Sequence, residues 1–128
     1  MFSENELKFL AGQRLCRLAT ADAAGRLHVV PVAFEVNEEA GTVDITGYAD
    51  VMRRSKKWRD VEATGEAALV VDDLASVDPW SPRGVEVRGS AVTVGADTDA
   101  PKIRVTPRRI VGWGIDGDRY APPNARNL

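Results

Sequence analysis

The segment from Leu27 to Val36 is the strongest constraint on what this chain can fold into. His28, Val30, Val32, Phe34 and Val36 alternate with Leu27, Val29, Pro31 and Ala33, and both sets are largely apolar. A period-two segment with two apolar sides is a strand that meets a core with one face and a second subunit or a ligand with the other. Pro31 has no N–H for a ladder, so the strand is expected to be unpaired there, or to lie at an edge or a bulge.

The remaining segments repeat the strand signal at short spacing. Ser3 and Glu6 form a capping-box pattern with Phe2 and Leu7 at the staple positions, which predicts a short helix over Glu4 to Ala11 that packs on a barrel and plugs one end. Arg14 to Thr20 reads as a strand closed by the turn Asp22-Ala23-Ala24-Gly25, with Gly25 at positive φ. Asn37 to Gly41 is a hairpin turn, Thr42 to Thr46 a third strand, Asp50 to about Ala63 a single helix, and Glu66 to Asp72 a fourth strand. Asp72 to Pro82 reads as a loop carrying Trp80, Arg83 to Val94 as a strand, and Ile103 to Ile115 as one strand or two, broken near Thr106-Pro107. The tail from Asp116 reads as irregular. About six antiparallel strands and two short helices are most simply arranged as a small, mostly β barrel, because closure removes sheet edges.

Composition narrows the function classes. The 128 residues are enough for one core and one domain, so a deep ligand site is expected to be shared between two copies. No apolar run reaches the ~20 residues of a membrane span, and Phe2 to Ala11 is too polar for a signal peptide, which predicts a soluble cytoplasmic protein without a membrane partner. A net charge of −2 argues against a surface built for nucleic acid. Cys16, the one cysteine, can form neither an intrachain disulfide nor a multi-cysteine zinc site, and its apolar strand makes it a small buried hydrophobe. His28 is the one histidine, and its strand position fits a structural side chain or a cofactor contact better than proton transfer. Asp72, Asp73 and Asp78 lack a regular metal-ligand spacing and read as turn formers. No metal site and no catalytic side chain is expected.

The chemistry concentrates in Asp50-Val51-Met52-Arg53-Arg54-Ser55-Lys56-Lys57-Trp58-Arg59-Asp60. Arg53, Arg54, Lys56 and Lys57 fall in the first two turns of the predicted helix, where the helix dipole favours acids. An anion bound there would reverse that cost, since the helix N-terminus offers free N–H groups and the cations add charge-assisted hydrogen bonds. A phosphate is one reading of the cluster, and a solvated basic face opposite Asp60 and Glu62 is the other.

The strings Arg14-Leu15-Cys16-Arg17-Leu18-Ala19-Thr20, Gly25 to Phe34, Arg54 to Val61 and Val71-Asp72-Asp73-Leu74-Ala75 resemble, in order and spacing, the pyridoxamine-phosphate-oxidase-like family. Pro107-Arg108-Arg109-Ile110-Val111-Gly112-Trp113-Gly114 is similar to its branch of F420-dependent enzymes, and the likeness extends from Phe2 to Ile115. The resemblance implies a split β-barrel that forms a homodimer with two cofactor sites at its interface. It implies that Lys57, with Ser55, Arg53 and Lys56, binds a cofactor phosphate; that Val30, Pro31 and Val32 lie along a tricyclic ring; and that Thr46 and Gly47 lie at the ribityl chain. Trp80, Arg83 and Arg88 are implied contributors from the other subunit, and Trp113 either covers the ring or belongs to the core. Gly95 to Lys102 is too short for the helix that many relatives place before the last strand, which leaves that wall of the pocket open.

The cofactor implied is the deazaflavin F420, with FMN as the alternative, since both carry a phosphate beside a ribityl chain. The longer anionic tail of F420 would be met by cations such as Arg54, Arg104 or Arg126. The activity implied is hydride transfer from reduced F420 to an electron-poor small molecule such as an enone or quinone, the cofactor carrying the chemistry. A non-catalytic carrier, or a haem protein with His28 as the one axial candidate, are the other readings.

Overall fold

In the computed structural model, which describes residues 1–128, the period-two segments become seven strands and the helical ones three short helices. Helix α1 spans Glu4–Ala11, β1 Leu15–Ala21, β2 Leu27–Asn37, β3 Thr42–Thr46, α2 Ala49–Arg54, α3 Lys56–Thr64, β4 Glu66–Ser76, β5 Ser81–Val94, β6 Lys102–Trp113 and β7 Asn124–Asn127. The sheet runs β3-β2-β1-β4-β5-β6-β7, and β3 also pairs with β6, so the first six strands close into an antiparallel barrel with β7 added outside. The fold is the mostly β split barrel expected.

Its core is the inward set of each strand: Cys16 and Leu18, Val43 and Ile45, Leu69 and Val71, Val85 and Val87, Ile103, Val105 and Ile110. Phe9 and Leu10 of α1 join this core from one end, and Met52, Trp58 and Val61 of α2 and α3 from the other. The capping box at Ser3 and Glu6 is formed. Gly25 and Gly41 take positive φ in their hairpin turns.

Several expectations are corrected. The single helix from Asp50 to Ala63 is two, because Ser55 is extended at ψ 153 and its hydroxyl accepts from the Trp58 N–H, capping α3. The Asp72 to Pro82 loop shrinks to a tight turn, since β4 continues to Ser76 and β5 starts at Ser81. Asp72 and Asp73 are therefore strand residues, ion-paired to Arg17 and Arg83. The break near Thr106-Pro107 is a bulge within one continuous strand: Gly89 faces Pro107 while Arg88 faces Arg109, so Arg108 is the extra residue. Inward-facing residues before it are Ile103 and Val105, and after it Ile110, a switch of parity that puts Trp113 on the outer face. The irregular tail contains β7, whose Arg126 binds Glu6 and the Met1 carbonyl.

Candidate functional site

Strand β3 ends at Thr46, opposite Ala33, so β2 from Leu27 to Val32 has β1 on one side and no strand on the other. This open edge is where the barrel is split, and it explains how Pro31 sits inside a long strand. The chain leaves β3 through Thr46 and Gly47, turns at the exposed Tyr48, and enters α2. A Cβ built on Gly47 would touch only the Met52 methyl, at 3.6 Å. Met52 in turn accepts the Ser55 hydroxyl on its carbonyl, at 2.7 Å, so the β3 exit, α2 and the start of α3 are one linked unit. Val30, Pro31, Val32, Thr46, Gly47, Ser55 and Lys57 are thus all carried by the strand edge and by the turn and helix pair that follow it.

The basic cluster is reorganised by the break at Ser55. Arg53 and Arg54 lie in the last turn of α2, where the dipole favours cations, and Lys56 and Lys57 open α3, where it does not. Arg53 is withdrawn from the site: its Nε donates to the Ala96 carbonyl at 2.7 Å, it also donates to the Thr98 carbonyl, and it pairs with Asp50. Lys56 is withdrawn too, donating to both oxygens of Asp60 at 2.9 and 3.0 Å. Burial would raise the Asp60 carboxyl, but hydrogen bonds from Lys56 and from the Thr20 hydroxyl outweigh it and hold the acid below its usual range. Lys57 is different. It is half-buried, forms no hydrogen bond or ion pair, and its ammonium is pushed below the usual lysine value by burial alone.

A phosphate tests well against this geometry. The N–H groups of Lys56 and Lys57 have no carbonyl partner within α3, Ser55 caps the same turn, and Lys57 supplies an unneutralised charge. Arg104 and Arg126, expected along an anionic tail, are committed elsewhere: Arg104 to Asp44 at 2.9 Å and Arg126 to Glu6. Arg54 and Arg59, exposed and bound only to backbone carbonyls, are the cations left beside Lys57. The strand setting expected for Cys16 holds, with its thiol buried and pushed up to about 12. His28 is half-buried on the inward side of β2.

The other expected contributors lie elsewhere. Arg88 is on the outer face of β5, paired to Glu86 at 2.9 Å, in a 390 Å³ groove with Leu27, Ala68 and Arg108. Trp80, Arg83 and Trp113 meet in a 380 Å³ pocket at the opposite end of the barrel, together with Arg17, Asp72, Asp73, Leu74 and Pro82. Asp22, 4.0 Å from Lys56, marks the α3 end at the exit of β1. The β4 stretch from Ala68, which pairs with Ala19, to Leu74, which pairs with Pro82 near Trp80, measures roughly 20 Å at ~3.3 Å per residue. One chain therefore does not bring Trp80, Arg83 and Trp113 to Lys57, whereas Arg88, opposite Ala68, lies toward the α3 end. The sequence left out Tyr48 and Arg17, and named Asp60 without its specific pairing to Lys56. Arg17 gave a signal, as the one charge inside an apolar strand, and Asp60 gave one through its i,i+4 spacing from Lys56.

A sequence profile described as pyridoxamine 5'-phosphate oxidase matches residues 2–126. The chain is 42% identical, over 99% of its length and 93% of the relative's, to a protein of Streptomyces rimosus named 5a,11a-dehydrotetracycline/5a,11a-dehydrooxytetracycline reductase. Among solved structures it resembles a heme binding protein from Mycobacterium smegmatis, with a TM-score of 0.74 at 14% identity. That match covers 97% of this chain and 57% of the longer neighbour. A conserved hypothetical protein from Mycobacterium tuberculosis gives 0.71 at 18% identity, over 94% of this chain and 87% of that one. At these identities the two structures speak to the fold alone.

Proposed function

The chain belongs to the pyridoxamine 5'-phosphate oxidase family, and from that premise we propose that it is a reductase that uses F420 to transfer hydride to an electron-poor ring compound such as an enone or quinone. The observation that carries this reading is Lys57. A half-buried ammonium without a partner is costly, and a bound phosphate removes the cost. The 42%-identical relative named a reductase supports the reaction class.

Lys57 and the first-turn N–H groups of α3 would grip the phosphate, with Ser55 capping that turn, and Thr46 and Gly47 would line the ribityl chain. The open edge of β2 would offer backbone hydrogen-bonding groups to the ring, with Pro31 giving a carbonyl and no donor. When bound, a reduced deazaflavin supplies the hydride. The side chains hold, orient and keep water away; His28 is not needed for proton transfer. Arg54 and Arg59, free of carboxylates beside Lys57, favour F420 over FMN because only F420 has a further anionic tail for them to meet.

The site would be completed by a second copy. Leu27 and Val29 are 87% and 68% exposed on the outer face of β2, and Leu15, Ala19 and Ala68 continue that face across β1 and β4. A dimer seated there should bury well over ~1,200 Å². Calorimetric titration with F420 and FMN tests the cofactor, and loss of reduced-F420 absorbance against a panel of enones and quinones tests the reaction. Tighter FMN binding would replace F420 in this reading, and tight F420 binding without turnover would replace the reductase with a carrier.

A further inference from the structure

The chain has four lysines, and three of them are compensated. Lys56 donates to both carboxylate oxygens of Asp60, Lys102 lies 3.9 Å from Asp44, and Lys8 is exposed in the last turn of α1, where the helix dipole favours a cation. Lys57 has none of these. It stands in the first turn of α3, which contains no acid, and it is half-buried without a hydrogen bond or ion pair. The side chains one helical turn away offer it no partner. Arg53 and Arg54 precede it by four and three residues, Val61 follows it by four, and Asp60, three residues on, is occupied by Lys56 and the Thr20 hydroxyl.

An amine in this setting is a nucleophile. Burial holds the Lys57 ammonium below the usual lysine value, so at a given pH more of it is the neutral form that carries the lone pair. The competing thiol is inert, since Cys16 is fully buried and pushed up to about 12. Arg54 and Arg59 add two cations without carboxylates, and the N–H groups of Lys56 and Lys57 have no carbonyl partner within α3. An anion drawn to that turn is delivered beside the amine. An acyl phosphate meets both features, because it carries a phosphate to dock and an electrophilic carbonyl one oxygen away from the phosphorus.

We propose that Lys57 is a self-acylation site, which takes its acyl group from acyl phosphates docked at the first turn of α3, and that this modification switches cofactor binding off. The docking and the switch rest on the cofactor reading above, whereas the reactivity of the amine does not. The Nζ lone pair attacks the acyl carbon, a C–N bond forms, and the C–O bond to the phosphate breaks. Inorganic phosphate leaves with the electron pair of that bond, and the amine proton passes to water. Nothing is oxidised or reduced. The resulting amide carries no charge, so the turn loses the cation that a cofactor phosphate would meet. A cofactor already bound would shield Lys57 by occupying the same turn.

The test incubates the whole protein with acetyl phosphate and follows acetylation of the four lysines by peptide mass spectrometry. Lys57 should react about tenfold faster than the exposed Lys8, through its neutral fraction and the docked phosphate together. Excess inorganic phosphate should slow Lys57 and leave Lys8 unchanged. Protein acetylated at Lys57 should bind F420 about tenfold more weakly or worse, whereas Lys57→Arg should bind it equally before and after treatment. Acetylation of Lys57 no faster than of Lys8, or equal slowing of both by phosphate, would overturn the site. Selective acetylation that leaves F420 affinity unchanged would overturn the switch. Loss of F420 affinity in Lys57→Ala, in a protein whose Lys57 shows no preference for acetyl phosphate, would remove the acylation site alone and keep the cofactor reading. Selective, phosphate-protected acetylation in a protein that binds no F420 would do the reverse.

Discussion

The two ends of the barrel treat their cations in opposite ways. At the β4–β5 end, Arg17 sits on Asp72 and Arg83 on Asp73, and the nearby Arg126 is bound by Glu6. At the α3 end, Lys56 is matched by Asp60, but Lys57, Arg54 and Arg59 have no carboxylate. The paired cations join elements: Arg83 and Gln13 tie α1 to β4 through Asp73, and Lys56 and Thr20 meet on Asp60 to tie α3 to β1. A half-buried charge that joins nothing weakens the fold, and a bound anion is the proposed compensation. Charge alone does not mark the proposed cofactor end; lack of a partner does.

The comparison breaks most readily at Asp60. This carboxylate is 3% exposed and serves both Lys56 and Thr20. Asp60→Ala should cost about 2–3 kcal/mol in chemical denaturation, since it strands a buried hydroxyl and a partly buried ammonium. A loss below about 0.5 kcal/mol would mean the pair does not anchor α3.

Lys57→Ala is the counterpart. F420 binding should weaken by about 1.5–3 kcal/mol in calorimetry, the range of a charged hydrogen bond, with the denaturation midpoint unmoved or raised. If Lys57→Ala destabilises as Asp60→Ala does, Lys57 belongs to the scaffold and the contrast between the two lysines disappears.

Changes of pH sharpen the same contrast. Hydrogen bonds from Arg83 and Gln13 hold Asp73 below its usual value of 3.8, and those on Asp60 do the same against its burial. Carboxyls lowered by folding stabilise fully above the unfolded value, so this contribution should persist above about pH 4 and fade as pH drops through the lower folded values. Lys57 acts at the other extreme. Burial lowers its ammonium below 10.5, so cofactor affinity should hold near neutrality and fall with rising pH earlier than an exposed lysine would allow. The Lys57→Ala variant should lose that alkaline limb.

The smallest effect is expected at Arg17→Ala. Its side chain is 52% exposed, so breaking the pair with Asp72 should cost no more than about 1 kcal/mol. A larger loss would show that the paired end is stiffer than solvent-screened ion pairs permit.

Much of this was legible residue by residue. The doubly apolar segment at Leu27 to Val36 became a strand with its inward set on the core and Leu27 and Val29 in water, and Pro31 found the unpaired edge that its missing N–H required. The box at Ser3 and Glu6 marked α1 to the residue, because capping is a contact between near neighbours. The break at Ser55 was not legible: the residues on either side are good helix formers, and a serine is tolerated within a helix as well as at its start. The bulge at Arg108 and the strand at Asn124–Asn127 were missed for a related reason, since both depend on partners far along the chain.

By itself the sequence determined what local pattern can determine: alternation set the strands and their inward sides, capping set α1, and the string around Ser55 and Lys57 located a candidate anion site. Only the tertiary structure decided which cations were free. Asp60 for Lys56, the Ala96 and Thr98 carbonyls for Arg53, Asp44 for Arg104 and Glu6 for Arg126 come from turns and strands that meet these residues only after the barrel closes. The same closure set Trp113 on Gly84 and gathered Trp80, Arg17 and Arg83 around it. Hydrophobic periodicity is a property of neighbours in the chain, whereas the neutralisation of a charge is a property of neighbours in space.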